Sequence, residues 1–120
     1  MAVKINVDDP ISFLQDIKTY VDEKKIITWT YDEEGDFTHA LNQWKYKAWL
    51  HPHTDIIDPK CNVIFGFLGN KQIITTKEIY AIYHGRFVET LLSHFDIQIN
   101  DIFITSMPDA RFDKITTKIM

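Results

Sequence analysis

A chain of 120 residues with a net charge of −4 and only two arginines, Arg86 and Arg111, lacks the cationic stripe that a nucleic-acid binder uses to neutralise phosphates. With 45% hydrophobic and 25% charged residues and four each of Gly and Pro, the composition is that of one globular domain over residues 1–120 rather than a disordered or fibrous chain. No apolar run approaches the ~20 residues needed to cross a bilayer, so neither membrane nor nucleic acid is expected as a partner.

Isoleucine outnumbers leucine eighteen to six, and β-branched side chains favour strands over helices, so substantial sheet is expected. "VKINV" (3–7) sets Val3, Ile5 and Val7 on one side and Lys4 and Asn6 on the other, the period of a strand. Asp9 then offers a capping side chain, and Pro10 fits the first helical position. Ile11, Leu14, Ile17 and Val21 follow at helical spacing and predict a helix from Pro10 to about Glu23.

"IITWTY" (26–31) reads as a strand running into an acidic hairpin loop, "DEEGD" (32–36), where Gly35 can supply a positive φ. The return strand is expected from Phe37. "WKYKAWL" (44–50) alternates Trp44, Tyr46, Ala48 and Leu50 against Lys45, Lys47 and Trp49, and the sequence leaves open whether 37–50 is one bent strand or two. "HPHTDIIDPKC" (51–61) is expected to be a polar loop between this strand and "NVIFGFL" (62–68). The latter is apolar on both faces and reads as a central strand.

"GN" (69–70) turns the chain into the longest predicted helix, 75–95, with Thr75 and Glu78 spaced as a capping box. Gly85 within it suggests a close approach there, by the sheet or by a partner. "IFITSM" (102–107) and "FDKITTKI" (112–119) read as strands on either side of a turn at Pro108–Asp109. Short turns between strands and only two helices favour an α+β fold: a largely antiparallel sheet with both helices packed on one face, a two-layer sandwich.

Phosphate-loop, dinucleotide-binding and nucleophile-elbow motifs are all absent, so neither a cofactor nor a catalytic residue is expected. His51 and His53 point the same way in extended chain, but the spacing through Asp55, Asp58 and Cys61 matches no zinc pattern, and no metal is expected. Cys61 has no internal disulfide partner, and "MAVKINVDDP" has no basic start followed by an apolar core, so the expected location is cytoplasmic.

Two surfaces remain. The acidic tip, Asp32, Glu33, Glu34 and Asp36, concentrates negative charge that can steer a basic partner, and Lys45, Lys47 and Trp49 form an aromatic and cationic sheet face. Together they predict a small non-enzymatic protein-binding module, with a toxin-neutralising immunity role as one concrete form and a homodimer through the Trp49 face as another. The alternative is an enzyme or ligand-binding cleft in which Tyr83, His84 and Arg86 hold an anion, Arg86 as clamp and His84 as acid or base.

Overall fold

The computed structural model describes residues 2–55 and 60–118. Its elements are β1 (Val3–Val7), α1 (Pro10–Asp22), β2 (Trp29–Tyr31), β3 (Phe37–His39), β4 (Ala48–His53), β5 (Val63–Gly69), α2 (Lys77–Phe95) and β6 (Ile99–Ile104). The six strands form one sheet in the order β2-β3-β4-β5-β1-β6 with every ladder antiparallel, which makes the fold α+β as expected.

Local chemistry sets the helix starts. The Asp9 carboxylate accepts the Ser12 N–H at 3.0 Å with Pro10 opening α1. α2 is capped one residue later than the sequence suggests, because the Thr76 hydroxyl accepts the Ile79 N–H. Thr75 is engaged elsewhere: its hydroxyl accepts the Thr116 N–H at 3.0 Å. The Thr75–Glu78 capping box is therefore replaced by a Thr76 cap.

One apolar cluster joins both helices to the sheet. Val3, Ile5, Phe37, Leu50, Val63, Phe65 and Phe67 supply the sheet side, Phe13 and Ile17 come from α1, and Ile79, Tyr83, Phe87, Leu91 and Phe95 come from α2. Phe87 meets Phe65 at 4.7 Å and Trp29 at 5.0 Å between ring centroids, both edge-to-face. Phe95 meets Phe13 at 5.8 Å and so ties α1 to α2. Edge-to-face pairs of this kind add about 0.5–1.5 kcal/mol each beyond the area they bury.

Three expectations are corrected here. Residues 37–50 form two strands, and "WKYKAWL" is strand only from Ala48. The backbone N–H groups of Trp44 and Lys45 both donate to the Leu41 carbonyl, and Tyr46 takes a φ of 61°, so 41–47 is a tight turn. The expected loop at 51–61 instead begins inside β4, which continues through His51, Pro52 and His53 paired with β5. Proline fits there because β4 pairs with β3 only at Leu50, leaving β4 an edge beyond that point. The expected strand at 112–119 is an irregular strap with a single parallel bridge, Lys114 to Leu68; its Ile119 lies outside the described residues.

The strap exists because β1 is short. β1 pairs with β5 from Val63 to Phe65, so the backbone of Phe67 and Gly69 has no partner from β1. The strap supplies one: Lys114 N–H donates to the Phe67 carbonyl, and Gly69 N–H donates to the Lys114 carbonyl, both at 2.7 Å. Phe112 then seals a second small cluster with Ala2, Cys61 and Ile64 on the sheet face away from the helices.

Glycine at position 66 permits this closure. A Cβ there would lie 2.3 Å from the Phe112 carbonyl oxygen, which is backbone and cannot swing aside. Gly85 is the opposite case, and corrects the expected close approach by the sheet. A Cβ there would meet nothing within 4 Å, so this glycine faces open space on an exposed helix turn. Gly66→Ala is therefore expected to destabilise the fold by about 1–3 kcal/mol. Gly85→Ala is expected to stabilise it by up to about 1 kcal/mol. Chemical denaturation of the two variants checks both signs.

Candidate functional site

The sheet face away from the helices is built by cross-strand pairing. Trp49 lies opposite Leu68, His51 opposite Gly66 and His53 opposite Ile64, so these six residues share that face with the strap. At one end sits an aromatic step. Tyr46 stacks on Trp49 at 6.4 Å with an interplanar angle of 26°, and the Asn70 side chain donates to the Tyr46 carbonyl at 2.7 Å, holding the positive-φ turn in place. Between Trp49 and the strap runs an open groove of about 820 Å³, lined by Trp49, Leu68, Ile115, Lys71, Lys114 and Lys118, with Glu34 at its edge.

The hairpin tip between β2 and β3 is closed by its own first carboxylate. Asp32 Oδ1 accepts the N–H groups of Glu34 and Asp36, and Gly35 sits at a φ of 81°. Asp32, Glu33 and Glu34 are exposed and, with Tyr31, line a shallow depression. Asp36 departs from the expected tip. Asp36 is 6% exposed and its carboxylate accepts a hydrogen bond from His51 Nδ1, so it belongs to the anchoring of the hairpin rather than to the solvated charge. The Tyr31 hydroxyl donates to Asp22 at 2.7 Å, and that hydrogen bond, reinforced by burial, raises the Tyr31 pKa above its usual value.

The lysines of the expected sheet face are also relocated. Lys45 lies over the ring of Tyr46 at 5.0 Å and Lys47 over that of Trp44 at 5.3 Å, both on the turn before β4. Only Trp49 stays on the sheet, and the lysines that border its groove are Lys71, Lys114 and Lys118 instead. Sequence reading missed these three because they come from the turn after β5 and from the strap, whose position depends on the length of β1. The acidic tip and Trp49 are nonetheless brought together, since Glu34 reaches the groove edge.

The residues of the alternative cleft do not converge. The Tyr83 hydroxyl is buried against Thr38 Oγ1 at 3.1 Å and the Trp44 carbonyl, and burial raises its pKa. His84 is 1% exposed, with Nδ1 at 2.7 Å from the Tyr80 carbonyl and its ring stacked on Phe67. Arg86 is exposed on the outer side of α2, and its charge together with burial lowers the pKa of His39. Burial is the first cause of that shift, and the Leu41 N–H donating to His39 Nδ1 suits the neutral ring.

His51 and His53 do share a face, with ring centroids 4.7 Å apart, and His53 packs edge-on against Phe112 at 5.0 Å. Cys61 is buried in the second cluster, Asp58 lies outside the described residues, and among the described residues no three His, Cys, Asp or Glu side chains are grouped to hold a metal ion. His51 anchors the hairpin through Asp36, and His53 packs under the strap.

Two predictions follow from that geometry. In a double-mutant cycle, Asp36→Ala and His51→Ala are expected to couple by about 1 kcal/mol in unfolding free energy, because each single change leaves the other group unpaired. Burial, and then the charge of His51, push the His53 pKa below its ordinary value. A folded-state value below the unfolded one makes this contribution complete above pH ~6.5 and lost as the pH falls. The His53→Gln variant should accordingly lose less stability than the parent between pH 7 and pH 5, as thermal melts across that range will measure.

In comparisons with protein-family models, curated proteins and solved structures, the chain matches none.

Proposed function

We propose that this is a non-enzymatic module that binds a protein partner, using the groove beside Trp49 together with the acidic tip. One observation carries the reading: Glu34 of the tip and Trp49 of the sheet line the same open groove. A half-buried tryptophan stacked with an exposed tyrosine offers a rigid apolar anchor of the kind that dominates binding energy at protein interfaces. Asp32, Glu33 and Glu34 add exposed charge that accelerates encounter with a basic surface. A partner fits both halves when its basic patch meets the tip and an apolar side chain flanked by acidic groups enters the groove bordered by Lys71, Lys114 and Lys118; neutralisation of a basic toxin in the cytoplasm is one form of this function.

The reading separates affinity from association rate. Trp49→Ala is expected to weaken partner binding at least about tenfold, ~1.4 kcal/mol, mainly through faster dissociation. Glu33→Lys with Glu34→Lys is expected to slow association and flatten its dependence on salt. The experiment captures partners from the native cell on the wild-type protein and on both variants, each first shown to melt at the wild-type temperature. A partner held equally well by all three would overturn the proposal.

A further inference from the structure

The two edges of the sheet are protected very differently. β2, at one edge, is only three residues long, is followed directly by Asp32, Glu33 and Glu34, and has its Tyr31 hydroxyl tied back to Asp22. Short length and adjacent charge are the usual means by which an edge is kept from pairing. β6, at the other edge, runs for six residues with Asp101 as its one charged residue and neither lysine nor proline.

Its only irregularity lies at its start. The register against β1 shifts between Asn6 and Val7, and the Asn100 side chain donates back to Asn6 and Asp8, both at 3.0 Å. From Asp101 to Ile104 the ladder with β1 is regular. There Phe103 is 40% and Ile104 is 42% exposed, a high value for such side chains within a strand. The strap leaves this edge clear: it returns across β1, where Asp109 pairs with Lys4 at 3.4 Å.

We infer that β6 is a self-pairing edge, on which a second copy of this chain adds its own β6 antiparallel about a two-fold axis at Phe103. The sequence is complementary to itself in that register. Phe103 meets Phe103 of the second copy, Ile102 meets Ile104, and Asp101 meets Thr105, so no two carboxylates oppose each other. A two-fold axis one residue earlier, at Ile102, sets Asp101 against Phe103 and Asn100 against Ile104, which leaves apolar groups facing polar ones. The pairing joins two six-stranded sheets into one continuous sheet and satisfies the outward backbone groups of both edges. Such a ladder is small beside the ~1,200 Å² of a standard interface, so the dimer dissociates on dilution. This interface is separate from the Trp49 groove and stands or falls without it.

Sedimentation velocity over a concentration series tests the inference, with Phe103→Glu as the disrupting variant. Within one copy the new carboxylate lies opposite Lys4, which suits the fold, whereas across the two-fold axis it meets its own copy. The expected result is a dimer that grows with concentration in the wild type and is absent in Phe103→Glu at an unchanged melting temperature. Mild oxidation of Phe103→Cys is expected to cross-link two copies, and that of Asp101→Cys is not. A wild type that stays monomeric up to its solubility limit overturns the inference. So does a dimer that survives Phe103→Glu, or cross-linking at position 101 that equals cross-linking at 103.

Discussion

The backbone of Phe67 is the point on which the rest of the structure depends. β1 is too short to pair with this end of β5, and an unpaired, buried N–H there would cost about 1–3 kcal/mol. The Asp113 carboxylate removes that cost. It accepts the Phe67 N–H at 2.9 Å with one oxygen and the Asp109 N–H at 2.7 Å with the other, in a site where Asp113 is 8% exposed. Hydrogen bonds from backbone N–H groups to a carboxylate are stronger than neutral ones, which suits a position where a whole strand is missing. One side chain thus does the work of a strand end and fixes the strap at the same time.

From that fixation the far face of the sheet acquires its shape. Phe112 is drawn over Gly66, His53 is covered, and Lys114, Ile115 and Thr116 are lifted into a wall facing Trp49. Without the strap, β5 would expose Ile64 and Leu68 to water and there would be no groove. The candidate binding surface is therefore a by-product of completing β5. Its wall is attached through hydrogen bonds to Phe67, Gly69 and Thr75, with Ile115 packed against the main apolar core and Phe112 against the second cluster.

How much of this could be read from the sequence follows from how local each determinant is. The helix beginning at Pro10 and the long helix ending at Phe95 were legible, because caps and 3.6-residue spacing act within a few residues. β5 was legible as a central strand because it is apolar on both faces, and it is covered on both. "WKYKAWL" misled because its alternation imitates a strand, while a positive φ at Tyr46, held by the distant Asn70, makes its first half a turn. Asp36 was grouped with the acidic tip because nothing local signals that His51 reaches across to it. The strap could not be foreseen, since its path depends on how far β1 runs beside β5.

The helices and the sheet present very different surfaces to a ligand or partner. The inward side of α2 is occupied by Phe67, Phe65, Trp29 and Phe37, so a cleft between helix and sheet would need those contacts broken. Its outward side carries the exposed Gly85, Arg86 and Glu89, with open space around the glycine. The sheet, by contrast, offers a groove bordered by charge at one end and, at the other, a six-residue edge strand with a single charge, Asp101. These two surfaces have different physical logic. A groove lined by side chains discriminates by shape and charge, whereas an open strand edge discriminates by backbone pairing and register.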